Sequence, residues 1–162
     1  MPRSETTSLV SNISAGSNSE SGKIEASAHF QTSAERIFRA ISTDEICNWW
    51  VRPGVFNTQE WTGDVRVGGK WAAAGIGGGQ PYRLEGEFTA VEKPSRLAHT
   101  WNAVGSPAGP ALLSYEIIPN KDGVELRLVH SGIMNPEILE KTRVGWETSL
   151  ARLQEIINVE VV

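Results

Sequence analysis

From Lys23 onward the chain alternates. Ile24, Ala26, Ala28 and Phe30 interleave with Glu25, Ser27, His29 and Gln31, the period-2 pattern of a strand with one face on a core and one on solvent. By that register His29 lies on the solvent side. The same rule predicts strands further on. "YRLEGEF" sets Tyr82, Leu84, Gly86 and Phe88 on one face, and "LAHTW" groups Leu97, His99 and Trp101. "LSYEI" groups Leu113, Tyr115 and Ile117, and "VELRLVH" groups Val124, Leu126, Leu128 and His130. Asp122-Gly123 suits a two-residue turn between these last two strands. "WTGDVRVGGKW" reads as strand over Asp64 to Val67, a corner at Gly68-Gly69, and a new strand opening at Lys70 with Trp71 directed inward.

Helical periodicity appears in two places. Ser33 is placed to cap a helix running to Ile41, with Ile37, Phe38 and Ile41 as its apolar stripe. A second helix is predicted from Thr43, carrying "ICNWW" and ended by Pro53-Gly54. After Asn135-Pro136, Leu139, Trp146, Leu150, Leu153 and Ile157 recur at spacings of seven, four, three and four. This predicts an amphipathic helix of about twenty residues, about 30 Å long. An antiparallel sheet with a single apolar face needs a covering layer. The expected fold is therefore α+β: a helix-grip arrangement, in which a curved antiparallel sheet wraps a long C-terminal helix and two short helices follow the first strand. It forms one domain over residues 23–160. Residues 1–22, rich in Ser, Thr, Asn and Gly, hold too little apolar surface to offset ordering and are expected to be a disordered tail.

Composition narrows the function. A formal charge of −4 with no basic block argues against nucleic acid or anionic lipid as partner. No apolar run approaches the roughly 20 residues that cross a bilayer, and the lone Cys47 fits a reducing compartment. The expected location is the cytoplasm.

Several short motifs in this order resemble one family. They are Trp49-Trp50, "DVRVGGKW", the Gly86 strand, "PSRLAHTW", "LRLVHSG" and "GWETSLARL". The chain resembles the SRPBCC, or START-like, superfamily, and within it the group named for similarity to the activator of the 90-kDa heat-shock protein ATPase. The resemblance runs from about Ile24 to Ile157 and implies the fold more than the function. The superfamily includes lipid and hormone carriers, cyclases and aromatases, so function has to come from the site. The co-chaperone proper carries a further amino-terminal domain, where only a short tail is expected here. Chaperone contact is accordingly the lesser expectation, and a homodimer is left open.

The inward positions hold His99, His130, Tyr115 and several indoles, with no inward carboxylate and no metal-ligand spacing. No metal or cofactor is called for. "GIGGG" (Gly75 to Gly79) lacks the following helix and the Lys-Ser/Thr pair of a phosphate loop and reads as a strand connection. The small Ala72 to Ala74 run is expected to widen the mouth of a cavity. Cys47 on an apolar helix face reads as packed rather than reactive. His130, before Ser131-Gly132, is placed to fix the exit toward the long helix as well as to touch a ligand. The candidate ligand-binding set is Trp50, Trp71, His99, Trp101, Tyr115, His130 and Trp146. Such rings suit a small hydrophobic or aromatic molecule held without covalent chemistry. The alternative is a cyclase- or aromatase-like enzyme using His99, His130 and Tyr115 as acid, base or orienting groups.

Overall fold

The computed structural model describes residues 13–106 and 109–160. Eight antiparallel strands form one sheet: β1 (Ile13–Asn18), β2 (Lys23–Phe30), β3 (Phe56–Gly63), β4 (Lys70–Gly77), β5 (Gln80–Glu92), β6 (Arg96–Ala103), β7 (Ala111–Asn120) and β8 (Gly123–Ser131). Their spatial order is β1-β2-β8-β7-β6-β5-β4-β3. Chain order is thus a meander from β3 to β8, closed by β8 against β2. Among the described residues three helices accompany the sheet: α1 (Ala34–Ser42), α2 (Ile46–Trp49) and α3 (Pro136–Glu160). The curved sheet with its long C-terminal helix is the expected helix-grip fold.

The alternation holds where it was clearest. Ile24, Ala26, Ala28 and Phe30 are buried, as are Leu113, Tyr115 and Ile117 on β7 and Val124, Leu126, Leu128 and His130 on β8. His29 is half-buried rather than exposed, and its backbone carbonyl accepts from Gln154 of α3 at 2.8 Å. Ser33 caps α1, its hydroxyl accepting from the Arg36 amide at 3.1 Å. The five apolar positions assigned to α3 are all buried. The helix is 25 residues long, a turn more than expected. It packs closest on β1, β2 and α2, and a bidentate pair from Arg36 to Glu160, 2.8 Å at each contact, ties its end to α1.

Four expectations need correction. Of the tail, residues 1–12 lie outside the described residues, but Ile13 to Asn18 form β1, paired with β2 from Ile13↔Ala28 to Asn18↔Lys23. The segment is polar, yet Ile13 and Ala15 alternate inward and the edge of β2 supplies the backbone partners. Asp64 to Val67 is not a strand. The strand is the preceding Phe56–Gly63, and the loop after it folds back so that Gly69 donates to the Arg66 carbonyl at 2.8 Å. A Cβ on Gly69 would lie 1.9 Å from the Asp64 carbonyl oxygen, which explains the glycine. The second helix is only the four residues Ile46–Trp49, ended by the Trp50 amide bonding Ile46 rather than by Pro53-Gly54. The last hairpin turns on Lys121-Asp122, because Asn120 pairs with Gly123.

"GIGGG" is a strand connection: Gly75 to Gly77 finish β4, and Gly78 and Gly79, at φ 58° and 78°, make the two-residue turn into β5. Trp61 on β3 lies across Gly63, where a Cβ would come within 2.5 Å of its ring. Among the described residues no helix is long and apolar enough to cross a membrane.

Candidate functional site

Because α3 leans on the β1–β2 side, its first half stands away from β3, β5 and β6, and aromatic rings span the interval. Trp50 arrives from the end of α2, Trp101 from β6 and Trp146 from α3. Their ring centroids are 5.3 Å (Trp50–Trp101), 5.8 Å (Trp50–Trp146) and 6.1 Å (Trp101–Trp146) apart. These three rings floor a cleft of about 240 Å³. Its other walls are Phe56 and Thr58 from β3, Tyr82 and Leu84 from β5, and Lys141, Thr142, Gly145 and Ser149 from α3. The lining is mainly carbon, with Lys141 as the one cation on it among the described residues.

The seven candidate residues therefore fall into two groups. Trp50, Trp101 and Trp146 line the cleft, whereas Trp71, His99, Tyr115 and His130 form the packed layer behind them. Trp71 is fixed by its indole N–H donating to the Thr100 carbonyl at 2.9 Å, across Gly86, where a Cβ would lie 2.1 Å from that same oxygen. His99 packs on Trp71, with centroids 4.6 Å apart. Its Nδ1–H donates to the Thr100 carbonyl at 2.9 Å. His130 accepts through Nδ1 from the Trp146 indole N–H at 3.0 Å, so the strand end is pinned to α3 by a side chain and not through a loop carbonyl. Ala73 is buried away from the cleft; the alanine run does not widen its mouth.

Burial sets the electrostatics. It depresses the His99 pKa to about 4 against a weaker opposing hydrogen bond to Thr100. Burial, then the proximity of His99, depresses His130 to about 3. Both rings are neutral near pH 7. Burial also raises the Tyr115 hydroxyl far above its usual range; the Trp50 indole opposes this but does not reach hydrogen-bond geometry. At the rim, Tyr82 donates to the Asn57 carbonyl at 2.8 Å and sits 2.7 Å from the Thr58 hydroxyl, which reaches the Trp50 carbonyl at 3.0 Å. Burial raises Tyr82 as well. Cys47 is half-buried, and burial followed by Asp44 raises its thiol, which disfavours the reactive thiolate.

Sequence reasoning missed Phe56, Thr58 and Gly145 as lining groups. Tyr82 and Leu84 were on the inward face of their strand, and only the choice of larger aromatics passed them over. Gly145 has a physical signature: it lies one residue before Trp146 on α3, and a Cβ there would meet nothing nearer than Phe56 at 3.8 Å.

A curved sheet gripping a helix over an apolar cleft defines the class, and the particular family follows from the comparisons. The family described as "Activator of Hsp90 ATPase homolog 1-like protein" matches residues 31–158, most of the chain, and the protein belongs to it. Among solved structures, protein CV1439 from Chromobacterium violaceum superposes with a TM-score of 0.76 at 22% identity, covering 84% of this chain and 96% of that one. The AHSA1 protein from Silicibacter pomeroyi gives a TM-score of 0.71 at 22% identity over 85% and 99%. Protein Ms6760 from Mycobacterium smegmatis gives 0.76 at 15% identity over 89% and 95%. At these identities the likeness is one of fold. No curated protein matches the chain.

Proposed function

We propose that the protein binds a small, flat, predominantly apolar or aromatic molecule in the cleft between the sheet and α3, without covalent chemistry. The observation that carries this reading is the wall of Trp50, Trp101 and Trp146 around about 240 Å³ of mainly apolar space. That volume lies just below the range of about 300–1,000 Å³ usual for drug-sized ligands, which favours molecules of one to three rings. Aromatic walls add offset and edge-on ring contacts of about 0.5–1.5 kcal/mol each beyond area burial.

Binding is favoured over a cyclase- or aromatase-like reaction because His99, His130 and Tyr115 stand behind the cleft-lining rings. A general acid or base has to come within about 2.6–3.2 Å of the atom it serves. Both histidine Nδ1 atoms are already engaged, with Thr100 and with Trp146. Chaperone contact draws on the family description alone and is the lesser reading; stimulation of a chaperone ATPase by the purified protein would restore it.

The test is a tryptophan fluorescence titration with native mass spectrometry across a panel of lipids and aromatic metabolites. A one-to-one complex with quenching supports the proposal. Absence of any complex across the panel, with a crystal structure in which the three rings close on one another, sinks it.

A further inference from the structure

Among the described residues four side-chain hydroxyls line the cleft, those of Thr58, Tyr82, Thr142 and Ser149. Three have their protons placed. Tyr82 and Thr58 spend theirs on the Asn57 and Trp50 carbonyls, 2.8 and 3.0 Å away, and on each other. Thr142 donates to the Ile138 carbonyl at 2.7 Å. Ser149 is the exception: it is only 3% exposed, yet its hydroxyl meets no hydrogen-bond partner among the described residues.

A hydroxyl on a helix ordinarily falls back on the carbonyl four residues before it. Ser42 on α1 and Thr142 and Thr148 on α3 all do so. Ser149 does not, although the Gly145 carbonyl stands in that position. Its oxygen also keeps open surface, whereas Trp50 Nε1 and the Tyr115 hydroxyl are sealed, and the space that Ser149 lines is the cleft. Leaving such a group unpaired costs about 1–3 kcal/mol, which a bound acceptor would recover. Charge narrows the acceptor. No carboxylate lines the cleft, and its one cation among the described residues, Lys141, is largely exposed and 3.7 Å from Glu137. Lys141 precedes Ser149 by eight residues, about 12 Å along the helix. An anion at Ser149 would therefore lose its hydration without a counter-charge, whereas an uncharged oxygen needs only the one donor.

We infer that Ser149 is a specificity-determining residue of the cleft, donating to one uncharged acceptor oxygen, such as a ketone's, on an otherwise apolar ring ligand. This rests on the binding function proposed above and names the class of molecule bound. The neighbours of Ser149 on α3 suit it. Trp146, one turn earlier, gives the ligand a ring to lie against. Gly145 adds no side chain, and a Cβ there would meet nothing nearer than Phe56 at 3.8 Å. A flat body can thus lie along the helix with its oxygen at Ser149.

The experiment compares fluorenone, fluorene and fluorene-9-carboxylate by fluorescence titration of the wild type and of Ser149→Ala. The wild type should bind fluorenone about tenfold tighter than fluorene, as one newly satisfied hydrogen bond predicts, and tighter than the carboxylate. In Ser149→Ala the ratio of fluorenone to fluorene affinity should fall toward one while fluorene binding holds. The melting temperature of that variant should stay level or rise, since an unpaired hydroxyl gives way to a better helix former. Equal affinities for fluorenone and fluorene in the wild type, or a ratio unchanged in Ser149→Ala, would overturn the inference while leaving apolar binding intact. Tighter binding of the carboxylate than of fluorenone would overturn it in favour of charge recognition at Lys141. A marked loss of thermal stability in Ser149→Ala would also overturn it, because the hydroxyl would then serve the fold. If none of the three binds, both this inference and the binding function fall.

Discussion

The two sides of the sheet bury their inward faces to different depths. On β2, β7 and β8 the inward residues are sealed: Ile24, Tyr115 and Leu126 have no exposed surface at all. On β3 and β5 the corresponding positions, Phe56, Tyr82 and Leu84, stay half-buried. The pairing there is also less regular, with register shifts between Thr58 and Glu60 and between Phe88 and Ala90. The reason is where α3 lies. It packs directly on β1 and β2, so side chains there meet the helix. Across β3 and β5 the rings of Trp50, Trp101 and Trp146 bridge the interval, and a cleft remains. One side of the sheet supplies stability and the other the proposed site.

Truncation should separate the two sides most strongly. Leu126→Ala, on the sealed side, should cost about 3 kcal/mol, as buried leucine truncations do. Leu84→Ala, on the cleft wall, should cost about 1 kcal/mol or less because solvent or ligand already faces it. Urea denaturation of the two variants measures the difference, and equal costs would erase the distinction.

Glycines give the next contrast. Gly86→Ala drives a Cβ to 2.1 Å from the Thr100 carbonyl oxygen and 2.5 Å from Trp71 Nε1, and should cost about 2 kcal/mol through overpacking. Gly145→Ala meets only Phe56 at 3.8 Å. It should stabilise α3 by about 0.5–1 kcal/mol, the helix propensity gained over glycine. Thermal melts check both signs.

Acid should weaken the sealed side. His99 and His130 protonate in the unfolded chain near 6.5 but in the fold only at about 4 and about 3. As pH falls below 6.5 the unfolded state takes up protons that the native state does not, so stability declines through that window. The slope approaches about 1.4 kcal/mol per pH unit for each ring. Unfolding free energies at pH 7 and pH 5 measure it, and His130→Gln should give a shallower decline.

Much of the sealed side was legible in the chain. Strict alternation in "KIEASAHF" and "VELRLVH", and the spacing from Leu139 to Ile157, reflect positions where one face is covered, so most inward residues are apolar and His130 is pinned to Trp146 through Nδ1. The cleft side carries a weaker code. Phe56 and Thr58 sit in "FNTQEWTG", whose polar residues on both faces hide the strand, because a cleft wall tolerates polar groups that a core does not. β1 escaped notice for a related reason: an edge strand borrows its hydrogen bonds from β2 and needs only Ile13 and Ala15 inward. The aromatic residues were identified as a set, but their division into cleft lining and packed backing depends on how far α3 stands from each strand. That distance is a tertiary quantity with no local signal.

The most direct measurement is a fluorenone titration of the wild type beside Gly145→Leu, a change that keeps a strong helix former on α3 and sends its side chain into the cleft. The account predicts saturable quenching in the wild type and none in the variant, with the variant's melting temperature at or above that of the wild type. Equal binding by both proteins would place the ligand outside the cleft and contradict it.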